Sequence, residues 1–398
     1  MNIWKNEKVR NAIMLGGLCA TSYLAVYIAR NILGVVTPQM IESGFTEEYV
    51  GTLSSLYFIF YAVGQLINGM IGDKIKAKYM ISFGLILAGV GNLLFVYLSG
   101  ELDVAKIVYA MTGFFLSMIY APMTKVVAEN TEQSYAVRCS LGYTFASFLG
   151  SPIAGILAAL LVWQSVFKVG SGILFVMGAM CFVVFTLMEK RGIVTYNKFD
   201  YKKEGNNSHG IKVLLEHQIV KYTLISIVTG VVRTTVVFWM PTYLSQYLGF
   251  SSEQSATIFT VTTFVISMTT FIGIFIYERF NHNMDLTVLL GFIFATISFF
   301  AVFIVKTPIM NIIFMVIAIM SSGIAATMLW SRYCPGLRDT GMVSGATGFL
   351  DFVSYMSASA SSTIFANAVT TIGWRSLILV WMGLMAFGVI ISLPFKRK

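Results

Sequence analysis

Charged residues are scarce in this sequence. Of its 398 residues, only 11% are Asp, Glu, Lys or Arg, whereas 57% are hydrophobic. A water-soluble globular domain has about 25% charged residues, which cover its surface, so this composition excludes that class of protein. It predicts instead a protein that crosses a lipid bilayer several times.

Cysteine and histidine are also few. The four cysteines show no spacing typical of metal ligands, and the three histidines all fall in predicted loops. The chain has no G-x-x-x-x-G-K-S/T segment, which argues against direct coupling to ATP. Since no nucleophile–base set appears at membrane depth, an enzyme is the least favoured class, and we predict neither a cofactor nor a metal site.

Apolar stretches of about 20 residues recur along the chain. Each is long enough to cross roughly 30 Å of hydrocarbon as an α-helix. Twelve spans are predicted, at residues 12–38, 50–72, 79–98, 104–126, 141–162, 168–188, 219–247, 255–277, 286–305, 309–330, 342–366 and 374–394. The sequence therefore predicts an all-α membrane protein with twelve transmembrane helices.

The positions of Lys and Arg predict the orientation in the membrane. Of the 27 such residues, 21 lie in the ends and loops on one side, and only 4 lie on the other. Because cytoplasmic loops retain positive charge, both termini are predicted to be cytoplasmic, in an inner or plasma membrane. The net charge of +9 follows from this topology, so no nucleic-acid partner is predicted.

The longest polar stretch, residues 189–218, separates six spans from six and is expected to be a cytoplasmic linker. The expected domains are a six-helix bundle at 1–188 and a second one at 219–398. The two halves are similar: Arg30 precedes Pro38 by eight residues, and Arg233 precedes Pro241 by the same distance. Three further pairs of segments follow in the same order: SGFTEEYVG (43–51) with LGFSSEQSA (248–256), GMIGDKIKAK (69–78) with GIFIYERFNH (273–282), and WQS (163–165) with WRS (374–376).

Two parallel six-helix repeats, with a binding site between them, resemble the major facilitator superfamily of transporters. The Gly-rich turn after the second span resembles that superfamily's signature, in which an acid and several bases form a cytoplasmic latch. The resemblance makes Gly69 and Asp73 candidate gating residues, and Glu278 is matched to Asp73 in the second half. Lys125 and Arg332 match near the ends of helices four and ten as gate or anchor charges. The plainer alternative for the turn is a positively charged loop without a gating role.

Arg30 and Arg233 are the two charges that need a special explanation. An arginine at mid-membrane depth costs about 2.5–3.5 kcal/mol on insertion scales, so it usually faces a protein interior or a water-filled cavity. Two arginines at repeat-related positions offer two planar forks to one doubly charged oxyanion. Alternatively, each arginine ties its helix to a neighbouring carbonyl or acid.

These residues resemble the organophosphate/inorganic phosphate antiporters, the family of the glycerol-3-phosphate and hexose-6-phosphate exchangers. The resemblance is carried by Tyr23, Tyr27, Arg30, Asn31, the segments Gly44-Phe45 and G51TLSS, Tyr61, and R233TTVVFWMPTYL244. In that family the two matching arginines bind the phosphate group, and the tyrosines that correspond to Tyr23, Tyr27 and Tyr61 line the cavity.

The chain also departs from that family. Gln65 stands where the glycerol-3-phosphate exchanger has a lysine, and the cavity histidine of helix five has no counterpart, so positive charge is lost. Asp351 lies about nine residues from the end of helix eleven, roughly 13 Å deep. It either binds a cationic group of a zwitterionic substrate, carries a proton, or pairs with a structural cation. Trp239 and Tyr355 are the remaining aromatic candidates for the cavity.

The sequence thus predicts a secondary active transporter that moves a small organic anion, above all a phosphate ester, by alternating access. Exchange for inorganic phosphate is the coupling that the resemblance implies. One alternative is a proton-coupled symporter of another anionic or zwitterionic metabolite. A second alternative is a membrane sensor that binds a phosphorylated metabolite without transporting it. In each case the protein is expected to be a monomer.

Overall fold

The computed structural model describes residues 7–72, 75–196, 215–334 and 343–393. Within these ranges every regular element is a helix, which confirms the predicted all-α class. Six helices precede the linker: α1 Glu7–Glu42, α2 Glu47–Gly72, α3 Ala77–Tyr97, α4 Leu102–Leu116 continued by Tyr120–Asn130, α5 Gln133–Leu160 and α6 Trp163–Lys190.

Six further helices follow the linker. They are α7 Ile219–Gln246, α8 Ser252–Arg279, α9 Met284–Ile304, α10 Pro308–Tyr333, and the segment Val343–Ser392, which divides into α11 (343–372) and α12 (374–392). The division falls at Gly373, whose φ of 75° lies in the left-handed region that glycine adopts without strain.

Most of these helices can cross a bilayer. In the described part of the chain, ten are long and apolar enough to do so when Gly348–Ser392 is counted once. That segment contains both α11 and α12, and the apolar part of α5, Phe145–Leu160, is a shorter helix. The helices therefore correspond one to one with the twelve predicted spans.

The chain forms two compact units. One comprises Met1–Met40 and Leu56–Glu204, and the other comprises Ile41–Ser55 and Gly205–Lys398. The beginning of α2 thus groups with the second unit, although it precedes the linker in sequence. The domain limits expected from the sequence stay a prediction.

The internal repeat is visible in the backbone before α2 and α8. Gly44 and Gly249 both have positive φ, of 100° and 78°. Two residues later, the Thr46 hydroxyl accepts a hydrogen bond from the backbone of the third helical residue at 3.1 Å, and the Ser251 hydroxyl does so at 3.2 Å. Such N-caps satisfy backbone donors that lack a partner in the first turn of a helix. The match between 43–51 and 248–256 is therefore a match of structure as well as of sequence.

Proline explains the interruption of α4. The ring of Pro122 cannot pack against the carbonyl four residues earlier, at Met118, in a regular α-helix. Residues 117–119 accordingly form turns instead of continuing the helix. At the break, the Ser117 hydroxyl donates to the Phe114 carbonyl at 2.6 Å and accepts from Asn68 Nδ2 at 2.7 Å. These side chains replace part of the missing backbone hydrogen bonding.

Candidate functional site

Arg30 lies on α1 among aromatic rings. Its guanidinium carbon is 5.1 Å from the ring centre of Tyr27, 5.4 Å from that of Phe58 and 5.5 Å from that of Tyr61. Arg30 Nη1 also donates a hydrogen bond to the Tyr27 hydroxyl at 3.4 Å. Aromatic faces within about 6 Å attract a guanidinium electrostatically, so these rings hold the half-buried arginine in place. The structure therefore brings Arg30, Tyr27 and Tyr61 together.

Backbone contacts position Tyr27. Asn31 Nδ2 donates to the Tyr27 carbonyl at 2.6 Å. On α5, Gly150 lies so close that a Cβ there would be 2.5 Å from Tyr27 Cβ and 2.6 Å from its carbonyl carbon. Only glycine allows α5 to approach α1 this closely, since any side chain would meet backbone atoms that cannot move aside.

A tyrosine cluster continues from Tyr27. The ring centre of Tyr23 is 4.9 Å from that of Tyr27, 5.4 Å from that of Tyr120 and 6.1 Å from that of Tyr143. No motif or repeat in the sequence points to Tyr120 on α4, to Tyr143 on α5 or to Phe58 on α2. For Tyr120 the sequence does carry a signal of another kind, because Pro122 predicts a break in α4 beside it. The direction of the Phe58 and Tyr143 side chains depends on how their helices pack, which the sequence does not show.

Tyr61 also belongs to an aromatic stack inside the first unit. The ring centre of Tyr57 is 6.1 Å from that of Tyr61 and 5.3 Å from that of Tyr109, and both pairs are stacked. Tyr61 is only 1% exposed, so its ring is packed both against Arg30 and against Tyr57. Gln65 lies one turn further along α2 and is half-buried.

Arg233 lies in a π-helical segment, Val231–Val236, in the middle of α7. Its side chain is half-buried. Five of the six residues in this segment are Val or Thr, and β-branched side chains crowd the preceding turn of an α-helix. Pro241 follows in the same helix and removes a further backbone donor. Crowded β-branched side chains and a proline thus accompany the widened helix around this arginine.

α7 and α11 pack in parallel within the second unit. Three close pairs fix their register: the Ser226 hydroxyl donates to the Leu350 carbonyl at 2.8 Å, Gly230 contacts Ser354, and the Thr235 hydroxyl donates to the Ala358 carbonyl at 3.2 Å. Asp351 follows Leu350, whereas Arg233 lies close to the level of Ala358. The two charged residues are about six residues, or roughly 9 Å, apart along the packed helices.

Asp351, Tyr355 and Trp239 differ in exposure. Asp351 is half-buried, whereas Tyr355 is 4% exposed and Trp239 is fully buried. The indole Nε1 of Trp239 has no hydrogen-bond partner among the described residues. A buried donor without a partner costs free energy, so this tryptophan is a packing residue that carries an unused polar group.

The candidate gating cations contact matched positions in the two halves. Lys125 Nζ donates to the Gly72 carbonyl at 3.5 Å, and the Arg332 guanidinium is 4.9 Å from the ring centre of Tyr277. Gly72 is the last residue of α2 and Tyr277 lies in the last turn of α8, and each directly precedes one of the matched acids in the sequence. The structure thus places a cation of helix four, and one of helix ten, at the end of the second helix of its own half.

Of the two matched acids, Asp73 and Glu278, only Glu278 lies among the described residues. Asp73 lies outside the described residues, so its place as a gating residue stays a prediction. Glu278 is exposed, and Gly69 is half-buried with open space where a Cβ would lie.

A second charged cluster lies beside this end of the first unit. Lys76 Nζ is 2.6 Å from Glu189 Oε1, and Lys78 pairs with the other oxygen of the same carboxylate. The Lys76 ammonium is 5.4 Å from the ring centre of Tyr196, in the first residues of the linker. The hydrogen bond that Lys76 donates to Glu189 raises the pKa of Lys76, and burial raises the pKa of Tyr196. These contacts tie the start of the linker to α3 and α6.

The sequence pattern of the Major Facilitator Superfamily matches residues 19–359 of the chain. The chain belongs to this superfamily. The matched range includes both arginines, the aromatic residues around Arg30, and Asp351, so every element of the candidate site lies within the family region. In the described part of the chain, no group of three or more His, Cys, Asp or Glu could hold a metal ion.

Two curated relatives refine the comparison. A glycerol-3-phosphate transporter of Bacillus subtilis is 24% identical over 257 residues, which cover 58% of this chain and 57% of that protein. The membrane sensor protein UhpC of Escherichia coli is 23% identical over 407 residues, which cover 94% of this chain and 89% of that protein. The chain therefore matches little more than half of the first relative and most of the second. Both relatives agree with the resemblance to organophosphate transporters that the sequence predicted.

A solved structure confirms the fold. The crystal structure of a bacterial homologue of the human lysosomal transporter Spinster has a TM-score of 0.75 to this chain. It is 14% identical and covers 97% of both chains. Identity this low shows the fold alone, and the fold is that of a major facilitator.

Proposed function

We propose that the chain is a secondary active transporter that moves a phosphate ester by alternating access and exchanges it for inorganic phosphate. The observation that carries this proposal is the Arg30 site. A guanidinium at membrane depth is held by three aromatic rings, and its repeat mate Arg233 stands at the corresponding place in α7. The Bacillus relative, named for glycerol 3-phosphate, supports the same class of substrate.

The chemistry of arginine explains the choice of a phosphate. The planar guanidinium donates two parallel hydrogen bonds to a phosphate, and it remains charged in a dry environment. A phosphate monoester carries about −1.5 to −2 charges near neutral pH, which two arginines neutralise. Three aromatic rings lie within 5.5 Å of the Arg30 guanidinium carbon and hold the group that is proposed to bind the phosphate.

The proposal includes the surroundings of the protein. The transporter lies in an inner or plasma membrane with both termini in the cytoplasm, and it works as a monomer without catalysing a chemical reaction. The excess of Lys and Arg on one side of the predicted topology supports this orientation. The ion pairs of Lys76 and Lys78 lie on that side.

Asp351 favours a second candidate, a proton-coupled symporter of an anionic or zwitterionic metabolite. The carboxyl group lies on α11, close to Arg233 along the packed helices. An acid inside a membrane protein usually carries a proton or pairs with a cation. In this candidate Asp351 takes up the transported proton or binds an amino group of the substrate.

The Escherichia coli sensor supports a third candidate, because its match covers nearly the whole chain. A sensor binds its ligand and changes conformation without releasing the ligand on the other side. Binding alone therefore leaves this candidate open, and accumulation inside vesicles separates it from a transporter.

Ligand-induced stabilisation of the purified protein tests the substrate class. A ligand at 100 times its Kd stabilises the form that binds it by about 2.7 kcal/mol. We expect inorganic phosphate and phosphate esters to raise Tm, dicarboxylates to have little effect, and Arg30→Lys to lose the response. Arg375→Lys is the matched control, because Arg375 also lies over an aromatic ring, that of Phe303, outside the candidate site. Stabilisation by dicarboxylates but not by phosphate compounds would contradict the proposal.

A further inference from the structure

The two repeat-related arginines have different backbones. Arg30 lies in α1, which runs as a continuous α-helix from Glu7 to Glu42. Arg233 lies in a π-helical segment of α7. π-helical turns make up well under 1% of residues in globular proteins and occur frequently at functional sites. The difference therefore needs a reason in sequence and in function.

The reason in sequence is a difference between two aligned segments. Around the first arginine the chain reads I28ARNILG34, and around the second it reads V231VRTTVV237. Each segment ends four residues before a proline, whose ring crowds the carbonyl of that last residue. In α1 this residue is Gly34, whereas in α7 it is Val237, which adds β-branched bulk. The same proline is thus tolerated in α1 but is accompanied by a widened turn in α7.

An aromatic side chain from a second helix contacts Arg30. Arg30 lies over the ring of Phe58, which is 4% exposed and packs edge to face on Tyr57 at 5.4 Å. Phe58 belongs to α2, so it joins Arg30 to a second helix. Neither the family resemblance nor the charge pattern points to this phenylalanine.

We infer that the two arginines have unequal roles: Phe58 holds Arg30 as a fixed docking group, and the π-helical segment lets Arg233 move during turnover. This inference rests on the proposed function, because both arginines must act on a phosphate. Phosphate docks on Arg30 in the empty protein. Arg233 engages afterwards, together with the conformational step.

The geometry of helices shows how Arg233 can move. Successive residues of an α-helix are about 100° apart, and a π turn holds one residue more than an α turn. Conversion of the π turn to a regular α turn therefore rotates the part of α7 after the segment by about that angle relative to the part before it. Such a change carries the guanidinium through several ångströms without unfolding α7. Ser226 contacts α11 before the segment and keeps that part of α7 in place. Thr235 lies within the segment, so its hydrogen bond to the Ala358 carbonyl must break during this change.

The role of Phe58 is tested by equilibrium binding of inorganic phosphate. Phe58→Leu keeps an apolar side chain but loses the aromatic face, and we expect phosphate to bind roughly 3- to 30-fold more weakly. Phe58→Tyr keeps the ring and restores affinity. The matched control is Phe95→Leu, since Phe95 is a fully buried ring of the same unit that packs on Tyr109 and Phe167.

The role of the π-helical segment is tested by Val237→Ala, which relieves the crowding before Pro241 and favours the α-helix. We expect phosphate affinity within about twofold of wild type but a maximal rate of phosphate self-exchange in proteoliposomes that is at least about fivefold lower. The control is Val265→Ala, at a 43% exposed position of α8 outside the π-helical segment. It should change neither quantity.

Amide hydrogen exchange distinguishes a moving π-helical segment from one that only packs, because packing alone would not make its exchange rate depend on phosphate. Saturating phosphate should change exchange at residues 231–241 and leave residues 25–35 unchanged. Unaltered phosphate affinity in Phe58→Leu, an unaltered rate in Val237→Ala, or equal changes in both segments would each overturn the inference. If wild-type protein binds no phosphate, the proposed function itself fails. If wild-type protein binds and exchanges phosphate but the variants behave like it, only the inference of unequal roles fails.

Discussion

Arg30 shows what aromatic neighbours add to a buried charge. Arg30 is half-buried, and the rings of Tyr27, Phe58 and Tyr61 replace part of the solvation that its guanidinium loses. The arginine and the two tyrosines could be predicted from the sequence because they belong to a recognisable pattern. Phe58 could not, since 32 phenylalanines in an apolar sequence carry no signal that separates a ligand-side ring from a lipid-facing one.

Lysine at either arginine position should abolish transport. An ammonium keeps the charge but cannot reproduce the planar, bidentate fork of a guanidinium. We therefore expect Arg30→Lys and Arg233→Lys each to lower phosphate ester uptake by at least about 100-fold, which corresponds to loss of one strong bidentate contact. Uptake into vesicles, normalised to inserted protein, measures this effect. Near wild-type uptake by either variant would contradict a phosphate-binding role for that arginine.

Asp351→Asn distinguishes the roles of the membrane acid. If Asp351 carries a proton, the variant should lose pH-dependent accumulation but keep binding and exchange. If it binds a cationic group, the variant should transport simple phosphate esters and lose aminated substrates. The measurement is uptake of both kinds of ester across a pH series. An unchanged rate, substrate range and pH profile would assign Asp351 a structural role alone.

At the level of the helices, several of them depart from regular α-helical geometry at particular residues. Pro122 interrupts α4, α7 is π-helical at 231–236, where five of the six residues are β-branched, and Gly373 separates α11 from α12. The existence and order of the twelve helices followed from apolar length, which needs no tertiary information. The π-helical segment was not predictable in the same way, because Pro38 and Pro241 occupy matched places and only one is accompanied by a widened turn.

Close packing of α5 on α1 can be tested at Gly150. We expect Gly150→Ala to destabilise the protein by about 1–3 kcal/mol, because the added Cβ meets the backbone of Tyr27. Thermal unfolding and phosphate affinity should both be affected, since Tyr27 contacts Arg30. The control is Gly172→Ala on α6, where a Cβ has no neighbour within 4 Å. Equal stability of the two variants would contradict the importance of this approach.

The whole molecule repeats its design in two halves. The repeat was visible in sequence, and the structure adds equivalent turns at Gly44 and Gly249 and equivalent N-caps two residues later. The contacts of Lys125 with Gly72 and of Arg332 with Tyr277 extend the repeat to the candidate gate. The two contacts differ chemically: Lys125 donates a hydrogen bond to a backbone carbonyl, whereas the Arg332 guanidinium lies over an aromatic ring. Sequence matching therefore predicted equivalent places but not the interactions made there.

Exchange of labelled inorganic phosphate tests the central claim most directly. Purified protein is placed in vesicles loaded with unlabelled phosphate, and entry of external labelled phosphate is followed with and without a phosphate ester as competitor. The account predicts rapid entry that depends on internal phosphate, is inhibited by the ester and is absent in Arg30→Lys. Tight phosphate binding by the same preparation without any entry of label would contradict transport and identify a sensor.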